Sequence, residues 1–201
     1  MMEGSLLDDI ISFYLDSDVA IPLERFLMWG LSDDINVQGA AFMLFEDAEM
    51  RSRITPPVPF ADFVGFHLRY YERCIRDDPS WQDDMLLSRY NACYSCRSLI
   101  TWLSNPPQVD YVVNGRRLQT WLGTVSGVSR ERGVNGLDVA KGWIRALYES
   151  GENEVRLALE TGVLEHLFPD RRIRRFFRDW LNDPLMVEVF KRNCSGPHGA
   201  M

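Results

Sequence analysis

Apolar residues recur at three- and four-residue intervals through nearly every segment of this chain, interrupted by Pro, Gly and Asn. That is the 3.6-residue period of amphipathic helices, not the two-residue alternation of a half-buried strand. The spacing predicts helices near 5 to 16, 21 to 31, 36 to 50, 60 to 76, 81 to 103, 115 to 130, 137 to 149, 153 to 168, 170 to 181 and 184 to 192. The predicted fold class is therefore all-α, a compact multi-helix bundle of about nine or ten short helices. Caps support several of these helices. Ser80 with Asp83 approaches a capping box before Trp81, and Asp183 stands ahead of Pro184 at a first helical position. At 109 to 120 two readings stay open. Asn114 can cap a helix carrying Leu118, Trp121, Leu122 and Val125, or Asn114-Gly115 can turn a hairpin with Val109, Tyr111 and Val113 alternating.

At 201 residues the chain is long enough for one well-filled domain. Three prolines within four residues of RSRITPPVPF forbid helix there, so 51 to 59 reads as a Pro-rich connector. It divides an acidic helical lobe at 1 to 50 from a main helical domain at 60 to 192. The lobe has too little core to stand alone and is expected to pack on the rest. The tail at 193 to 201 offers nothing to bury and is expected to be disordered.

Charge is distributed unevenly. Residues 1 to 50 hold eleven acids against the single Arg25, a net charge of −10, although the whole chain carries only −7. Such a segment repels phosphate backbones and attracts basic proteins. Asp8, Asp9, Asp16, Asp18, Asp33, Asp34, Glu46, Asp47 and Glu49 are its candidate partner-binding residues. In LFPDRRIRRFFRDWLNDP, by contrast, Arg171, Arg172, Arg174, Arg175 and Arg178 fall opposite an apolar stripe of Ile173, Phe176, Phe177 and Trp180. The stripe is expected to face inward, and Glu165, Asp170, Asp179 and Asp183 nearly balance the arginines. A nucleic-acid grip wants a net basic field with exposed aromatics, and a membrane-surface helix wants more cationic charge, so neither partner is expected. The opening residues carry acids where a secretory leader needs bases, which predicts a cytoplasmic protein with reduced thiols.

Candidate chemistry is sparse. Cys93 and Cys96, with His67 and Cys74 on the preceding helix, have the residue types of a Cys₃His metal set. Their place in apolar stripes favours core packing instead, so no metal and no cofactor is expected. Arg89, Arg97 and Glu160 lie among apolar neighbours and form the alternative site, either a buried ion pair or a polar pocket for a small ligand or an enzyme's substrate. Catalytic sequence motifs with a local signature are absent.

The segment TGVLEHLFPDRRIRRFFRDWLNDPLMVEVF (161 to 190), with YESGENEV (148 to 155), carries a GxLEHLF element, an IRxFF helix, and a Trp followed by Asp-Pro. This pattern resembles an uncharacterised bacterial all-helical domain family of the immunity-protein type found in polymorphic toxin systems. It covers about a quarter of the chain, and its positions are of the packing and capping kind, so it brings no site residue with it. The resemblance implies a protein that binds and blocks a cognate toxin. The acidic first quarter is then the natural bait for a basic toxin domain.

Overall fold

The computed structural model describes residues 6 to 16, 18 to 77, 88 to 104 and 130 to 194, which divide into two units, one ending at Tyr70 and the other beginning at Tyr71. The fold is all-α. The division does not fall in the prolines at 51 to 59 but inside a helix, and part of that stretch is structured within the first unit.

In the first unit, α1 (Leu6–Leu15), α2 (Leu23–Gly30), α3 (Ile35–Glu46), α4 (Ala48–Ser52) and the first part of α5 (Phe60–Asp77) surround an aromatic core. Phe26 lies 5.1 Å from Phe45 and 5.0 Å from Phe66, and Phe42 stacks on Tyr70 at 4.2 Å. The helix expected over 36 to 50 is two helices, because Asp47 leaves the helical conformation and accepts the backbone N–H groups of Glu49 and Met50. An Asp gains more at an N-cap than inside a helix. The predicted connector holds a two-residue strand, β2 (Ile54–Thr55), paired in parallel with β1 (Ile21–Pro22). Ile21 and Ile54 are both buried, which fixes that pairing.

The second unit contains the rest of α5 with α6 (Arg89–Ser104), α7 (Arg130–Ser150), α8 (Asn153–Leu159), a π-helical segment (Glu160–Leu164), α9 (Glu165–Leu167), α10 (Arg171–Phe176), a 3-10 turn (Arg178–Asn182) and α11 (Val187–Cys194). Helix α7 begins at least seven residues before the predicted 137, running through Gly133 and Gly136, where packing overrides glycine's poor propensity. Phe168, Phe177, Trp180 and Phe190 form its aromatic cluster, with Phe177 and Trp180 edge-to-face at 4.7 Å. Asn193 and Cys194 belong to α11, not to a tail. Ser80, Asp83, the helix or hairpin at 109 to 120, and the tail from 195 onward lie outside the described residues.

Several arginines close helix C-termini. Arg53 donates to the carbonyl of Phe13 in the last turn of α1 and to those of Asp16 and Val19 beyond it. Arg89 donates to Ile75 and Arg76 at the end of α5, and Arg156 to Tyr148 and Glu149 at the end of α7. The last carbonyls of a helix lack partners and carry its negative dipole end, so a guanidinium satisfies both the hydrogen bonds and the field.

Candidate protein-binding surface

Helix α1 reads LLDDIISFYL and has apolar residues on both sides. One side faces the core: Ile10 is buried, and Phe13 meets the Trp29 ring edge-on at 5.5 Å. At 100° per residue, Asp8, Ile11, Ser12, Leu15 and Asp16 share an arc of about 140° on the opposite side. All five are exposed, with Ile11 at 47% and Leu15 at 78%. Tyr14, 57% exposed, borders this arc, and Val19 lies open just beyond the helix. The result is an apolar strip with a carboxylate at each end.

Two ties hold that helix in place. Asp9, on the flank of α1, accepts from Arg25 Nε at 2.7 Å and Nη2 at 2.5 Å, and from Trp29 Nε1 at 3.1 Å. Arg25 in turn lies over the Phe13 ring at 5.2 Å. Arg53 gathers the carbonyls at the other end of the helix. The outward face is thus presented on a fixed element.

The nine acids proposed from the sequence are not equivalent. Asp9 is the tie just described. Asp34 caps α3 by accepting from Asn36 N at 2.8 Å, and Asp47 caps α4. These three each have a role in holding the fold. Asp8, Asp16, Asp18, Asp33 and Glu49 are exposed, while Glu46 is the final residue of α3. Of the five, Asp8 and Asp16 share a face with exposed apolar groups. Ile11, Tyr14 and Leu15 were missed from the sequence, although the doublets Leu6-Leu7, Ile10-Ile11 and Tyr14-Leu15 write more apolar surface than one buried stripe can take.

The alternative set in the second unit is spent on separate partners. Glu160 accepts from Tyr148 Oη at 2.7 Å and from Arg192 at 3.0 to 3.2 Å. Arg89 reaches Glu154 at 3.2 Å besides closing α5, and Arg97 lies 4.7 Å over the Tyr94 ring. The expected pairing of Glu160 with Arg89 or Arg97 is replaced by Arg192, from a helix that the sequence reading had not connected with it. A cavity of about 390 Å³ near this place takes Arg89, Tyr90, Cys93 and Thr161 into its wall, without Arg97 or Glu160 among its described lining.

The metal candidates do not assemble either. Among the described residues no three of His, Cys, Asp and Glu are placed to hold an ion. His67 Nδ1 lies 2.8 Å from the Phe63 carbonyl, and its ring is packed among Phe42, Phe45, Phe63 and Phe66. Burial lowers its pKa to about 3, against the raising effect of the Phe63 carbonyl, with Arg51 adding a smaller lowering. Burial pushes the Cys93 thiol up to about 11 and holds the Cys96 thiol well above its ordinary value. Neutral imidazole and protonated thiols are what an apolar interior selects.

No helix among the described residues is long and apolar enough to cross a membrane. Comparison with protein-family models, with curated proteins and with solved structures gave no match.

Proposed function

We propose that this protein is a non-enzymatic binding protein of the immunity type, which neutralises a basic protein partner through the outer face of α1. The observation that carries the proposal is the exposure of Ile11 and Leu15 between Asp8 and Asp16 on a helix tied down at both ends. A recognition surface needs apolar groups to bury and a polar rim to set orientation. The net charge of −10 over residues 1 to 50 supplies a long-range field that selects a cationic partner and speeds encounter. The resemblance of the C-terminal third to toxin-immunity proteins supports the same reading. A cytoplasmic setting suits it, because Cys74, Cys93, Cys96 and Cys194 are all free thiols.

Affinity capture from the native host tests the proposal, with three baits: the wild-type chain, an Ile11→Ser/Leu15→Ser variant and an Asp8→Asn/Asp16→Asn variant. The expected result is a basic protein that binds the wild type, binds the apolar variant at least tenfold more weakly, and associates with the neutralised variant slowly and with less dependence on salt. Equal recovery of the same partner on all three baits, or a captured partner that is itself acidic, overturns it.

A further inference from the structure

In the second unit, a cleft of about 640 Å³ opens between the end of α6, the first turns of α7 and α10. Among the described residues its floor is largely apolar: Leu103 and Leu137 are buried, and Val134, Phe176 and Ser104 also line it. Its rim is cationic. Arg172, Arg175 and Phe176 stand at i, i+3 and i+4 of α10, which places all three on one side of that helix and on the cleft. Phe176 is the one member of the predicted inward stripe that is not fully buried; Ile173, Phe177 and Trp180 are.

The two rim arginines differ. Arg172 is held by Asp170, through Nη2 at 3.0 Å and Nε at 3.4 Å. Arg175 is exposed and forms no ion pair among the described residues. Behind the Phe176 ring, Lys141 Nζ lies 5.0 Å from its centroid and donates to the Phe176 carbonyl at 3.3 Å, its charge already paired with Asp179. A chain of net charge −7 thus places a guanidinium with donors to spare beside an apolar recess of ligand size.

We propose that this cleft binds a small amphiphilic carboxylate, its head on Arg175 with Arg172 beside it, and its acyl or aryl body on Leu103, Val134, Leu137 and Phe176. The planar guanidinium fork matches a carboxylate in two parallel hydrogen bonds. A bare anion leaves the apolar floor wet, and a neutral hydrocarbon leaves the fork unmatched. Only a ligand with both parts satisfies the site. This site is independent of the α1 surface.

The test uses 4-phenylbutyrate as probe, with 4-phenylbutanamide and inorganic phosphate as the two half-ligands, titrated into the full chain and read by backbone amide shifts. The carboxylate is expected to saturate and to move the amides of Ser104, Val134, Leu137, Arg175 and Phe176. Each half-ligand is expected to bind at least tenfold more weakly. Arg175→Gln is expected to weaken carboxylate binding by about tenfold or more. Arg178→Gln, an equal loss of charge on an exposed residue outside the cleft's described lining, is expected to leave it unchanged. Equal binding of the amide, equal loss in the two variants, or amide shifts elsewhere with none at the cleft overturns the proposal.

Discussion

Gly162, in the π-helical segment, packs so closely on Cys93 of α6 that a methyl group on its α-carbon would stand 2.8 Å from Cys93 Cβ and 3.0 Å from its Sγ. The π turn is marked by Glu165 N–H reaching the Glu160 carbonyl five residues back, and the Cys93 thiol lies 3.6 Å from the Ala158 carbonyl, as a donor would. The irregular turn and the absent side chain together set the approach of the two helices.

Gly162→Ala therefore overpacks a rigid crossing and is expected to lower stability by roughly 1 to 3 kcal/mol. Gly142, in the exposed middle of α7, has nothing within 4 Å of the same added carbon. There alanine reduces only the freedom of the unfolded chain, so Gly142→Ala is expected to raise stability by about 0.5 to 1 kcal/mol. Urea denaturation of the two variants should give shifts of opposite sign.

His67 makes the fold sensitive to acid. Its pKa falls from 6.5 to about 3 on folding, so between those values the unfolded chain binds a proton that the folded chain refuses. The stability due to this group is complete above pH 6.5 and declines by about 1.4 kcal/mol for each pH unit below it, until pH approaches 3. His67→Gln, neutral throughout, is expected to be less stable at pH 7 but to lose less on acidification. The difference between the two denaturation curves isolates the histidine, since both chains share the same carboxylates.

The acids of α1 separate into structural and surface groups. Asp9→Asn breaks a bidentate pair with Arg25 at a partly buried position and weakens the Trp29 contact, so it is expected to cost about 1 to 3 kcal/mol. Asp8→Asn and Asp16→Asn change exposed side chains and are expected to stay within about 0.5 kcal/mol. Arg53→Lys tests the other tie. Lysine lacks the fork that spans three carbonyls, and hydrogen exchange in α1 should rise while that in α3 changes little.

Thiol accessibility gives a check on the packing. Cys74, Cys93 and Cys96 are buried, whereas Cys194 is half-exposed, its pKa raised by burial against the lowering effect of Arg174. A disulfide reagent at pH 8 is expected to label one cysteine in the native protein and all four after unfolding. Rapid native labelling of Cys93 would mean that the Gly162 crossing opens.

Periodicity alone made the fold class and most helices legible, because the spacing of apolar residues is a local property written along the chain. Asp170, counted as the first residue of the helix predicted over 170 to 181, is instead the cap of α10, accepting from Arg172 N at 2.8 Å. Local pattern fails where a residue's partner is distant. Nothing near Glu160 announces Arg192, nothing near Arg53 announces the carbonyls at the end of α1, and Asp9 looks the same as Asp8 until it is seen holding Arg25.

The sequence by itself determined that this chain is helical, that its first quarter is acidic and that its interior is aromatic. Tertiary structure alone decided which apolar residues of α1 turn outward and which arginines are left over for a ligand. A helix with two apolar sides can bury only the one its neighbours cover, and a guanidinium is consumed or spared according to which carbonyl or carboxylate the fold brings within reach.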